Sequence, residues 1–430
     1  MNKQAEILNE ILKKENPVVF NLLSKRGRSI FFPKEGIVAQ AAEAKGKKIN
    51  ATIGSAIEDD GSPMRFESIA KNISIDPKDI FSYAPTQGKP ELRRLWKELI
   101  YKKNPSLTGD ISLPIVTVAL THGLSMIGYL FVDEGDEIIV TDKFWGNYRL
   151  VYENTYGGVL KTFTTFKDGD FNVEGFREKL FEKKGKKIIL LNFPNNPTGY
   201  TPTRKEAAEI VQCIVDCANF GNEIIVICDD AYFGLIYDEG IYNESLFSKL
   251  SHAHKNILAI KIDGATKEEY VWGLRVGFIT YGIHGINSEV CDTLESKTAG
   301  AIRGSVSNAP NISQSLIYQS LVSKDHEREK NEKYKILRSR YAKVKEVLKS
   351  EKYGKFFSPL PYNSGYFMCV ELKNNIDAEV VRQELLKNYD TGVISMGNIL
   401  RIAFSGVREA DIPLLFDNIL SACEHSPKKI

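Results

Sequence analysis

The sequence predicts an α/β fold in which a mainly parallel sheet is covered by helices on both faces, three layers in all, with a smaller α+β unit attached. Two observations carry this. The middle of the chain holds short, nearly unbroken β-branched runs, as strands buried on both faces require. Helical patterns stand between those runs, and such alternation is what crossovers between parallel strands produce.

In chain order the runs are Ile138-Ile139-Val140, Ile188-Ile189-Leu190-Leu191, Ile224-Ile225-Val226-Ile227, Ile257-Leu258-Ala259-Ile260 and Val276-Gly277-Phe278-Ile279. Between the second and third, Thr203 and Glu206 have the spacing of a capping box. After them Ala207, Ala208, Ile210, Val211, Ile214, Val215 and Ala218 form an apolar stripe at helical spacing that Gly221 stops. From about Ser323 the texture changes to the charged, amphipathic KDHEREKNEKYKILRSRYAKVKEVLKS, which reads as a long solvated helix leading out of the sheet domain. Beyond it, Gly365–Leu372 and Ile399–Phe404 alternate apolar and polar residues as half-exposed strands do, and Asp377–Asn388 and Asp411–Ser421 read as helices. The expected division is a large domain over residues 50–325, with residues 1–49 and 326–430 forming a small domain and an N-terminal arm.

Composition narrows the function classes. With 57 Lys+Arg against 55 Asp+Glu the net charge is +2, which gives no general attraction to nucleic acid or an anionic membrane, so a small polar ligand is the expected partner. Six cysteines in 430 residues are too few for a disulfide scaffold, and they fall mostly in apolar runs. Cys213 and Cys217 stand four apart, but no His or third Cys lies near them, so core packing is the reading and no metal is expected. No apolar stretch reaches membrane-spanning length, and the start MNKQAEILNEILKKENP is charged throughout, so a cytoplasmic protein is expected.

Three segments carry chemistry, each directly after a predicted strand. In Gly264-Ala-Thr-Lys267-Glu-Glu-Tyr-Val-Trp-Gly-Leu-Arg275, a lysine at a strand end can be partly desolvated, which lowers its pKa and makes the amine a nucleophile towards an aldehyde. Arg275 supplies a planar cation suited to a phosphate, though a Lys and an Arg on one loop are more often a solvated face. In Asn192-Phe-Pro-Asn-Asn196-Pro-Thr-Gly-Tyr, Pro and Gly shape a loop that holds the Asn196 amide at the carboxyl end of the sheet. In Cys228-Asp229-Asp-Ala-Tyr232, a carboxylate ends an apolar strand, where it is costly unless a cation or hydrogen bonds meet it; a buried helix cap is the plainer reading.

The order and spacing of these motifs, with Trp145 and Arg401 outside them, resemble the class I aminotransferases, the aspartate-aminotransferase-like branch of the fold-type I enzymes that depend on pyridoxal 5′-phosphate (PLP). The resemblance runs from about Asn50 to Ser405. It implies that Lys267 holds the cofactor as a Schiff base and later acts as the base at the substrate α-carbon. It further implies that Asp229 pairs with the pyridine nitrogen, that Asn196 and Tyr232 hydrogen-bond the ring's phenolate oxygen, and that Trp145 stacks on the ring. For the phosphate it implies Gly123, Leu124 and Ser125 at the opening of a helix Leu124–Phe131, with Arg275 and, from a neighbouring subunit, Tyr83. Gly264 stands where the family usually has a serine, and Thr266 is the candidate replacement. On the substrate side the resemblance assigns the α-carboxylate to Arg401 and places Gly54 near the entrance. Arg303 aligns with the arginine that, in aspartate aminotransferases, reads a side-chain carboxylate across a homodimer, which would make aspartate or glutamate the donor. A lyase or decarboxylase on the same scaffold, and a PLP-binding regulator with a DNA-binding extension, are the competing readings. The first 49 residues are short for such an extension.

Overall fold

The computed structural model describes residues 2–31, 36–71 and 75–426. Its central sheet has seven strands: β1 (Ile115–Val118), β2 (Glu137–Thr141), β3 (Val159–Phe163), β4 (Lys186–Asn192), β5 (Glu223–Asp229), β6 (Ile257–Asp263) and β7 (Val276–Ile283). They lie in the order β1-β7-β6-β5-β4-β2-β3. Strands β6, β5, β4, β2 and β3 are mutually parallel, whereas β7 runs antiparallel to both β6 and β1. The run at 276–279 is therefore a strand as expected but not a parallel one: a segment apolar on both faces has the same pattern in either direction. β4 and β5 are buried over six consecutive residues each, which is why they carry no alternation. The edge strand β3 does alternate, with Val159 exposed and Leu160 buried, and so lacks an unbroken apolar signature.

The helix Arg204–Asn219 has both hydrogen bonds of its capping box and buries Ala207, Ile210, Cys213, Ile214, Cys217 and Ala218. Each large aliphatic so buried contributes roughly 1.5–3 kcal/mol, so this face fastens the helix to the sheet. Gly221 ends it at φ +86°, a left-handed conformation that favours glycine. The Glu206 carboxylate also accepts from Phe171 N at 2.7 Å and Tyr200 Oη at 2.8 Å, tying the cap to its surroundings.

The long helix His326–Val347 buries Leu337, Arg340, Tyr341 and Val344 along one face, so it is only half solvated. It leads to a four-stranded antiparallel sheet, β8 (Phe357–Pro359), β9 (Phe367–Leu372), β10 (Ile394–Met396) and β11 (Ile399–Ala403), in the order β8-β9-β11-β10. The expected half-exposure of this sheet is corrected: every residue of β11 is buried, as is β9 apart from Glu371. The helix Ala378–Asn388 packs against it, while the Arg401 and Phe367 side chains reach Asn196 and Tyr232 of the large-sheet loops, so both faces are covered. Near the chain start, Ile49–Asn50 pairs in parallel with Thr391–Gly392. Among the described residues no helix is long and apolar enough to cross a membrane.

Candidate active site

The carboxyl ends of the parallel strands converge on a cavity of about 420 Å³, as expected for an open α/β sheet. Lys267, Asp229, Tyr232, Asn196, Trp145, Gly54 and Arg401 all line it. β4 and β5 end in register, with Asn192 opposite Asp229, and the Asn192 amide bonds the Asp229 carbonyl at 2.8 Å while its oxygen receives Asn196 N at 2.8 Å. Gly199, at φ +70°, closes the same loop against β9; a Cβ there would stand 1.8 Å from the Phe367 carbonyl oxygen.

The Lys267 amine lies 5.0 Å from the centre of the Tyr232 ring. Burial lowers its pKa from 10.5 to about 8; the Arg275 charge adds to the fall and the Asp229 charge opposes it. The turn carrying the lysine is anchored on both sides. The Tyr366 hydroxyl donates to the Lys267 carbonyl at 3.2 Å, and the next two residues, Glu268 and Glu269, are buried among cations. Lys103 reaches Glu268 at 2.6 Å, Lys330 lies 2.8 Å from Glu269, and His326 Nε2 is 2.6 Å from Glu269. Lys267 is thereby tied to the start of the helix His326–Val347.

Asp229 is buried, which raises its pKa, while the Tyr148 hydroxyl donates to Oδ2 and Lys267 supplies an opposing charge. Its buried Oδ1 has no hydrogen-bond partner among the described residues, although the Ala231 backbone N–H also favours the charged carboxylate. Such an orphan is costly unless a donor meets it, and a protonated ring nitrogen is a suitable donor. Arg401 is similarly prepared: Nη2 donates to the Thr52 carbonyl at 2.9 Å, Nη1 to Asn196 Oδ1 at 3.2 Å, and Nε is buried without a partner among the described residues. A carboxylate would complete it. The residues present thus fit PLP: a nucleophilic amine for the aldehyde, an orphaned carboxylate for the ring nitrogen, and Trp145 and Ala231 in the lining for the ring.

Other expected residues stand elsewhere. The helix expected at Leu124–Phe131 spans Ala119–Phe131, so Gly123 and Ser125 lie past its first turn and Leu120 and Thr121 line the cavity with Leu124. Gly123 lies in the helix interior, where a Cβ would stand in ordinary contact with Ile262 and Thr117 at 3.4 Å. Ser125 Oγ is bonded to Tyr156 Oη at 2.9 Å. The Thr266 hydroxyl is 3.4 Å from the Val276 carbonyl and does not line the cavity. Gly264 permits close packing, since a Cβ would stand 2.7 Å from Gly277 Cα and from the Val276 carbonyl oxygen. Arg275 adjoins the helix start, where Ala119 N donates to the Arg275 carbonyl at 3.1 Å, but its side chain is outside the lining. Tyr83 is 92% exposed, and Arg303 is exposed with Nη1 donating to Ser307 Oγ at 2.7 Å; neither reaches the cavity of its own chain. Tyr148, Asn192, Thr52 and Phe367 were not anticipated. Asn192 opens one of the quoted segments, and Tyr148 is a donor three residues after Trp145, which was the available signal.

A model of the family described as aminotransferase class I and II matches residues 47–419. The aspartate aminotransferase of Bacillus sp. strain YM-2 is 25% identical over 255 residues, covering 59% of this chain and 62% of that protein. Aromatic-amino-acid aminotransferase 2 of Thermococcus litoralis is 24% identical over 229 residues, 53% of this chain and 56% of that protein. The matched portion thus spans less than two thirds of these curated relatives. Among solved structures, an aminotransferase from Anaerococcus prevotii superposes with a TM-score of 0.81 at 24% identity, covering 93% of this chain and 98% of that one, and shares the fold.

Proposed function

The chain belongs to the aminotransferase class I and II family, and on that premise we propose that it is a PLP-dependent aminotransferase moving the amino group of an L-amino acid to a 2-oxo acid by ping-pong exchange. The cofactor supplies, when bound, an aldehyde that condenses with amines and a protonated ring that draws electrons from the substrate α-carbon. Lys267 anchors it with an amine that is substantially neutral near pH 8, and once displaced holds and returns the proton of the α-carbon at Nζ. Asp229, steadied by Tyr148, offers its free Oδ1 to the ring nitrogen. Asn196 and Tyr232 serve the phenolate side, and Trp145 covers a ring face. The first turn of the helix Ala119–Phe131, in place of Gly123 to Ser125, forms the phosphate cup with Arg275. Arg401 takes the α-carboxylate and Gly54 borders the entrance.

The reading includes a homodimer in which Tyr83 completes the phosphate site of a second copy, supported by its exposure and that of nearby Phe81, at 92% and 84%. It includes a cytoplasmic setting, supported by six free cysteines. It also includes a hinge at about residue 325, between the domain of the large sheet and the small domain built on the four-stranded sheet. The observation that carries the proposal is one cavity holding an amine of lowered pKa and a buried, half-satisfied carboxylate. Absorbance spectroscopy of the PLP-loaded protein tests it. An amino acid should bleach the cofactor's visible band and a 2-oxo acid restore it, and Lys267→Ala should lack the band. A wild-type spectrum no different from that of free PLP refutes the proposal, and release of pyruvate with ammonia from cysteine would indicate a lyase.

A further inference from the structure

The residues that line the cavity have a charge inventory that speaks to the substrate. Ile37 and Ala41, four residues apart and so on one face of the helix Ile37–Glu43, line it together with Ile53, Trp145 and Phe367. Among the described residues only two cations line the cavity, Lys267 and Arg401. Lys267 belongs to the bond-making end, beside Tyr232 and the charge of Asp229. Arg401 lies 4.5 Å over the Phe367 ring with one unpartnered nitrogen, room for a single carboxylate. A second carboxylate, on the substrate's side chain, would find no third cation among the described lining residues to offset the loss of its water, which is unfavourable. Ile53, 42% exposed at this site, is conversely an apolar surface left for a ligand to cover.

We infer that the preferred amino donor carries an uncharged, hydrocarbon-rich side chain, held against Ile37, Ala41, Ile53 and Phe367, and that aspartate and glutamate are the poorer donors. This rests on the transamination reading above. The alternative, in which Arg303 of a second copy reads a side-chain carboxylate, makes the opposite prediction.

The test uses the PLP-loaded full chain. Leucine, methionine, phenylalanine, aspartate and glutamate are compared as donors by the rate of cofactor bleaching, and calorimetry compares the non-reacting acids 4-methylpentanoate and succinate. At least one apolar donor should exceed both dicarboxylates about tenfold or more in second-order rate constant, 4-methylpentanoate should bind more tightly than succinate, and Ile53→Ala should narrow both ratios. Faster reaction of aspartate or glutamate overturns the inference, and its loss in Arg303→Ala would name the responsible cation; transamination itself would stand. If no donor bleaches the cofactor, the reaction proposed above fails instead, and the two acids still decide the character of the pocket: tighter succinate binding overturns the inference, tighter 4-methylpentanoate binding upholds it.

Discussion

Replacing Lys267 by methionine in the cofactor-free protein should make the fold more stable at neutral pH, because the wild-type chain buries an ammonium that prefers to be neutral. The folded pKa is about 8 against an ordinary 10.5, with burial as the leading cause. A basic group whose folded pKa is depressed costs stability that builds up as pH falls from the unfolded pKa to the folded one and is complete below the latter. Between about 8 and 10.5 the unfolded chain holds more protons than the folded one, so stability rises with pH across that window. At 1.36 kcal/mol per pKa unit the full cost below pH 8 is about 3 kcal/mol, an upper bound because the amine borders an open cavity. Methionine has similar length and no charge, so the variant escapes this penalty. Urea unfolding of both cofactor-free proteins at pH 7, 8.5 and 10 measures it. The variant's advantage should be largest at pH 7, smaller at pH 8.5 and smallest at pH 10, approaching a constant packing difference only above about 10.5. The rate at which wild-type apoprotein captures PLP should rise with pH through about 8 and then level. A stability difference independent of pH would falsify the claim that this amine is desolvated.

Two further predictions concern the same cavity. Tyr148→Phe removes the hydroxyl donor to Asp229 Oδ2 and so raises the carboxyl's pKa further; with about 1.5–3 kcal/mol at stake in a bond to a charged group, the PLP dissociation constant should rise roughly ten- to a hundredfold, more at pH 6 than at pH 8, and equilibrium dialysis showing no change would remove Tyr148 from the site. Gly277→Ala would place a Cβ 2.7 Å from the Ala119 carbonyl carbon and 2.9 Å from Leu120 N, pushing the helix start off β7; about 1–3 kcal/mol of stability and the affinity for PLP should fall together, and an unaltered melting temperature contradicts this packing.

The sequence by itself determined five of the seven strands of the central sheet, where the helix Arg204–Asn219 starts and stops, and that a lysine, an aspartate and an asparagine each stand at or after a strand end. These are local matters: periodicity, cap chemistry and turn residues act over a few positions and are visible in a few positions. Only the tertiary structure decided that β7 runs against its neighbours, because an apolar run carries no direction. Only it decided that Ala119 begins the helix, with Gly123 inside it and not at a turn before it. The same holds for Tyr148, 81 residues from the aspartate it steadies, and for Glu268 and Glu269, whose partners lie at 103, 326 and 330. The free energy of a buried charge depends on groups that meet it across the fold, and no local pattern records which distant segment will supply them.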